Sequence, residues 1–165
     1  MILSVHTDKT VFLEGKREVV EANDRALAPD SVLGCETVSF MYHKDRDPVP
    51  KEASLTVTVN PENGFGGLVW YADGVTATRL AETVGHDFAD SIWVSINPSP
   101  PQFDPEIPSD PWAPTYMDRV SALPLAALRS ALEEFCANGT GDRPMCIEWV
   151  EGNFDGSLLD DVAGG

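Results

Sequence analysis

Basic residues are scarce: 11 Lys and Arg stand against 27 Asp and Glu in 165 residues, for a formal charge of -16. Nucleic acid and anionic membrane surfaces are held mainly by Lys and Arg, so neither is expected as a direct partner. Long apolar runs are missing too. No stretch reaches the roughly 18 residues of a membrane span. The start, Met1 to Asp8, has neither the basic head nor the apolar core of a signal peptide and reads as a first strand. Cysteine is limited to Cys35, Cys136 and Cys146, an odd number at wide spacing. That pattern fits free, mostly buried thiols in a reducing cytoplasm, with Cys136 and Cys146 filling core space.

The marks of catalysis and of metal binding are equally thin. His6, His43 and His86 lie in different segments and read as surface or turn residues. Nothing resembles CxxC, so no zinc site and no cofactor are expected. There is no GxSxG, HExxH or phosphate loop, and the cluster Gly64, Gly66 and Gly67 is not followed by a helix. Carboxylate pairs such as Glu133-Glu134 and Asp160-Asp161 arise by chance in so acidic a chain and face solvent. The chain therefore reads as a binding protein and not an enzyme. A small hydrolase would need carboxylates or His converging in a pocket.

What is present is an ordinary globular core: 42% of residues are apolar and 23% charged. One domain over residues 1–165 is expected. Val19, Val20, Ala22, Ala26 and Leu27 suit a short N-terminal helix that stops before Pro29. Glu36 to Tyr42 is rich in β-formers. Ser54 to Val59 alternates, with Leu55, Val57 and Val59 on one face. A turn at Asn60 to Gly64 leads to a strand at Gly66 to Tyr71. A second turn at Ala72 to Gly74 leads to a third meander strand at Val75 to Leu80. Ser91 to Ile96 is a further strand.

Pro124 then opens a helix whose stripe is Leu125, Leu128, Leu132 and Phe135, closed by Asn138-Gly139. Met145 to Val150 is the last strand, burying Ile147 and Trp149 and exposing Glu148. A loose acidic tail follows from about residue 155 to 165. The expectation is an α+β fold: a mostly antiparallel sheet of about five to six strands, with the C-terminal helix and a short N-terminal helix packed on one face.

The acidity has a location. From Leu80 to Asp118 there is no Lys or Arg, while Glu82, Asp87, Asp90, Asp104, Glu106, Asp110 and Asp118 fall in that stretch. Inside it, residues 98–116 hold seven prolines and must form a stiff surface loop. Phe103, Ile107, Trp112 and Tyr116 are interleaved with the prolines. They either provide contact area for a partner or fold back to pin the loop. A second acidic zone, with Glu148, Glu151, Asp155, Asp160 and Asp161, follows Arg143 and has no basic residue. The candidate partner-binding residues are thus Asp87, Asp90, Phe103, Asp104, Glu106, Asp110, Trp112, Tyr116, Glu148 and Glu151. Such a surface suits a basic protein partner, because opposite fields speed encounter.

The C-terminal third carries a family resemblance. A proline-started helix (Leu123 to Phe135) is followed by Asn138-Gly139, Arg143-Pro144 and a strand ending at Trp149. This run resembles the first numbered immunity family, Imm-one, of bacterial polymorphic toxin systems. Gly67 to Tyr71 is similar to that family's sheet hairpin. The resemblance implies an immunity protein that neutralises a cognate toxin, often a zinc-dependent nucleic-acid deaminase, by occluding its basic cleft. The alternative is a generic acidic interaction module or a nucleic-acid-mimicking inhibitor of another basic protein, such as a nuclease.

Overall fold

The computed structural model describes residues 1–28, 37–46, 51–110 and 115–159, without the side chain of Asp110. The chain opens with strands β1 (Ile2–His6) and β2 (Thr10–Phe12), then helix α1 (Lys16–Ala26). Three long strands follow: β3 (Thr37–His43), β4 (Lys51–Asn60) and β5 (Phe65–Ala72). Helices α2 (Gly74–Thr83) and α3 (His86–Asp90) lead to β6 (Ile92–Ile96). The proline-rich segment carries a small hairpin of β7 (Pro108–Asp110) and β8 (Thr115–Tyr116). A 3₁₀ turn at Arg119–Ser121, β9 (Leu123–Pro124), α4 (Leu125–Asn138) and β10 (Glu148–Gly152) complete the fold.

The fold is α+β. One sheet of eight strands runs in the order β10-β6-β5-β4-β3-β1-β2, with the two-residue β9 on β5. Its pairings are antiparallel. The strand count exceeds the expected five or six because β2 and β9 are too short to show periodicity.

Helices pack on one face. On that face Phe40, Leu55, Leu68 and Trp70 meet Leu128, Leu132 and Phe135 of α4, all with no exposed surface. Alternation in β4 buries Leu55, Val57 and Val59 together, as their spacing predicts. The helix can approach because β5 carries Gly66: a Cβ there would lie 2.7 Å from Leu128 Cδ1. Gly139, with φ of 68°, ends α4 in the left-handed conformation that glycine accepts.

Tyr42 ties the sheet to that helix end. Its hydroxyl donates to the carbonyls of Phe135 (3.1 Å) and Cys136 (2.9 Å) and accepts from Gly139 N–H (3.2 Å). Burial, then the nearby Cys136, pushes the Tyr42 hydroxyl up to about 12, and burial pushes the Cys136 thiol up to about 12. Both groups are neutral in the fold and ionise more readily when unfolded, near 10 and 9. Stability should therefore hold below about pH 9 and fall as pH rises from about 9 towards 12. Urea midpoints between pH 8 and 11 check this. Tyr42→Phe should flatten the upper part of the fall, and an equal slope in that variant would contradict the assignment.

Four sequence expectations need correction. Val75 to Leu80 is not a strand but part of α2. Asp73 caps it by accepting from Gly74 N–H (2.7 Å), and the buried Glu52 carboxylate accepts from Val75 and Thr76 N–H. Two carboxylates at the helix start outweigh the β-branched residues within it. The last strand begins at Glu148, not Met145, because Glu134 takes the amides of Met145 (2.7 Å) and Cys146 (3.1 Å) out of the ladder. Cys146 is consequently exposed and does not fill core space, while Cys136 is half-buried. Cys35 lies outside the described residues. Finally, His43 is not a surface residue: it is fully buried, 2.8 Å from the Ser4 hydroxyl and edge-on to Phe12. No described helix is long and apolar enough to cross a membrane.

Candidate functional site

The sheet's second face is covered at one end by the proline-rich segment. Asn97 anchors its start through Val120 O and Ala122 O, each at 2.6 Å. Asn60 and Asn63, from the β4–β5 turn, both donate to Pro105 O at 2.8 Å. Ile107 is fully buried among Val69, Val94, Met117 and Ala122. So Ile107 folds back to pin the segment. Phe103 (52% exposed) and Tyr116 (51% exposed) point outward, Phe103 resting edge-on against Phe65 at 5.7 Å.

Asp104 and Glu106 are exposed beside Phe103. Asp104 accepts from Glu106 N–H at 2.9 Å, closing a tight turn. Glu106 has φ of 47°, the only positive value at a non-glycine among the described residues. Strain of this kind costs on the order of 1–3 kcal/mol and persists only where the surroundings enforce it. Trp112 lies outside the described residues, as does the Asp110 side chain.

A second acidic group gathers near the other end of β5. Asp87 and Asp90 are exposed on α3, and Ser91 Oγ donates to Glu151 at 2.8 Å, linking α3 to β10. Glu148 is exposed on β10, and Ile147 and Trp149 are half-buried. Ser91 and Glu151 are divided from the Phe103 turn by most of the length of β5, roughly 20 Å at about 3.3 Å per residue, whereas Glu148, paired with Ile96, lies towards the Phe65 end. The structure thus joins Asp87, Asp90 and Glu151 beside α3 and leaves Glu148 on the opposite face of β10, paired with Ile96. It sets Asp87, Asp90 and Glu151 apart from Phe103, Asp104, Glu106 and Tyr116.

What holds the second group is a cation. The Arg143 guanidinium lies 4.4 Å from the Phe88 ring centre, 4.1 Å from Trp93 and 5.8 Å from Trp149. Its Nε and Nη1 are buried with no hydrogen-bond partner among the described residues, so the aromatic faces take the place of acceptors. Burial lowers its pKa to about 10. The two indoles are fixed by their own bonds, Trp93 to Phe88 O (3.1 Å) and Trp149 to Pro144 O (2.8 Å). The Arg143-Pro144 to Trp149 run is therefore the frame of this box, a role its strand periodicity does not reveal. Arg143→Ala should cost about 2 kcal/mol and shift tryptophan emission, read by urea titration and fluorescence. A cost below about 0.5 kcal/mol would show that the box stands without its cation.

Chemistry has little to work with. Among the described residues no group of three or more His, Cys, Asp or Glu could hold a metal ion. Burial raises Cys136 to about 12 and Cys146 to about 11, so neither thiol is activated. A groove of about 560 Å³ between α1 and the β1–β2 hairpin has Asp8, Lys9, Glu18, Glu21 and Arg25 among its lining, and no histidine among the described lining residues.

The family model for the Immunity protein Imm1 matches residues 7–151. The chain belongs to the Imm1 immunity protein family. The match begins just after β1, ends within β10, and takes in both acidic groups and the Arg143 box. No curated protein and no solved structure matches the chain. Membership in Imm1 makes this an immunity protein directed against a toxin, an inhibitor in kind.

Proposed function

We propose that this Imm1 protein neutralises a co-produced toxin that deaminates nucleic acid, by lying over the toxin's basic substrate cleft. The observation that carries the reading is the exposed Phe103–Glu106 turn, with its strained acid, on a chain of net charge -16. A deaminase must attract phosphate, so its cleft is basic. An acidic surface with outward aromatics competes for the same field and supplies contact area at low entropy cost. Phe103, Asp104, Glu106, Asp110, Trp112 and Tyr116 form one contact set, Asp87, Asp90 and Glu151 another, and Glu148 contributes from the opposite face of β10. The chain needs no cofactor for this role, and any zinc belongs to the toxin.

The test is a deamination assay with the toxin domain encoded beside this chain, on a single-stranded DNA or RNA oligonucleotide. Adding the chain should abolish turnover at one equivalent, and excess oligonucleotide should slow complex formation. Tight binding that leaves deamination intact would refute occlusion. Inhibition of a toxin with nuclease activity would refute the deaminase assignment alone.

A further inference from the structure

Two phenylalanines stand out from the sheet's second face, one at each end of β5. Phe103 is 52% exposed and Phe154 is 60% exposed. A single exposed phenylalanine is ordinary. These two share one arrangement. Each stands edge-on to a half-buried aromatic residue of β5: Phe103 to Phe65 at 5.7 Å, and Phe154 to Tyr71 at 5.1 Å. Strand alternation sets Phe65 and Tyr71 on the same face, about 20 Å apart at about 3.3 Å per residue.

Each phenylalanine is also held by a closed turn. The bonds from Asn60 and Asn63 to Pro105 O fix the first turn. In the second, Asn153 N–H donates to Ser157 O and Gly156 N–H to Asn153 O, both at 2.9 Å. Ser157 N–H donates to the Asp155 carboxylate at 2.9 Å. Met117, whose N–H donates to Ile107 O at 2.8 Å, joins the two. It packs between Gly67 of β5 and Gly156, and a Cβ on either glycine would come within 2.7 Å of it. The spacing of the two rings is thereby fixed, and groups held in place beforehand lose little freedom on binding.

Negative charge surrounds both rings. Asp104 and Glu106 are exposed beside Phe103, and Asp155 is exposed beside Phe154. Burial, then the charges of Asp73 and Asp90, raises the pKa of the Tyr71 hydroxyl beneath Phe154. Lys51 Nζ lies 5.9 Å from the Tyr71 ring centre and 6.0 Å from that of Phe154, so this pair already presents its faces to a cation. A second copy of this chain would bring a charge of -16 against -16, which disfavours self-association. A basic partner meets the opposite situation.

We infer that the toxin is gripped across the second face at two points, with Phe103 and Phe154 as paired anchors set among basic side chains of the toxin. This rests on the toxin-binding reading above and adds a second anchor, Phe154 on Tyr71, and the span of the footprint. An interface of about 800 Å² per partner is about 30 Å across, so one toxin surface covers both rings. The carboxylates around each ring select Lys and Arg, and the rings supply the buried area.

Dissociation kinetics with the catalytically inactive cognate toxin domain test it, together with carbene footprinting of the unsubstituted full chain. Phe103→Ala and Phe154→Ala should each speed dissociation about 30-fold, as loss of an aromatic hot spot does. The two effects should multiply in the double variant, because the sites are too far apart to share contacts. In the unsubstituted chain, carbene labelling of both rings should fall several-fold in the complex. This second readout needs no substitution, so a variant that misfolds does not decide the outcome. A complex in which Phe154 stays labelled, or one that dissociates no faster with Phe154→Ala, overturns the two-point grip and leaves the toxin-binding reading standing. Absence of any complex overturns both.

Discussion

Reversing the charge at Asp104, Glu106 and Asp110 together should slow association with the toxin about 10- to 100-fold at low ionic strength, with little change in dissociation. Both acids described in this turn are exposed, and exposed rim charges act mainly through long-range attraction during encounter. The effect should fade as salt approaches about 0.5 M, where the screening length falls to a few ångströms. Stopped-flow mixing across a sodium chloride series gives both rates. Asp104 also holds the Glu106 amide, so Asp104→Asn is the control, because it keeps an acceptor and removes the charge. An unchanged association rate at low salt in the triple variant would refute steering by this turn.

Trp70→Ala should destabilise the fold by about 3–5 kcal/mol, the largest single-site loss expected here. Trp70 is fully buried at the centre of the sheet, packs against Phe88, and donates its indole N–H to Gly141 O at 3.1 Å. Its removal opens a cavity and orphans that carbonyl in one step. It also loosens Phe88, which forms one wall of the Arg143 box. Urea unfolding should show a much lower midpoint, and binding should weaken at the α3–β10 acids before it weakens at the Phe103 turn. A loss under about 1 kcal/mol would mean the core beneath α3 is not packed as described.

Much of this was legible in the sequence where one periodicity dominated. The α4 stripe of Leu128, Leu132 and Phe135, its proline start and its glycine stop each carry a separate signal, and they agree. The alternation of Leu55, Val57 and Val59 likewise leaves one choice of face. Reading failed where a distant group decided the outcome. Glu52 lies 23 residues from Val75 yet turns it into helix, and Glu134 pulls Met145 and Cys146 out of β10.

His43 looked like a turn residue because its partners, Ser4 and Phe12, come from strands far back in the chain. The acids could be named from composition, but their grouping could not. Glu151 reaches Ser91, the neighbour of Asp90, only because β10 pairs beside β6, and Asp104 stands far from both. The aromatic box around Arg143 had only Trp149 nearby in the sequence; Phe88 and Trp93 come from about 50 residues earlier, and nothing in spacing says that the three rings converge.

The most direct measurement is the binding and neutralisation of the cognate toxin, with both proteins purified. The account predicts a one-to-one complex with Kd on the order of nanomolar or tighter, weakened by salt, and full loss of toxin activity at equivalence. No complex at micromolar concentrations, with the toxin still fully active, would contradict it.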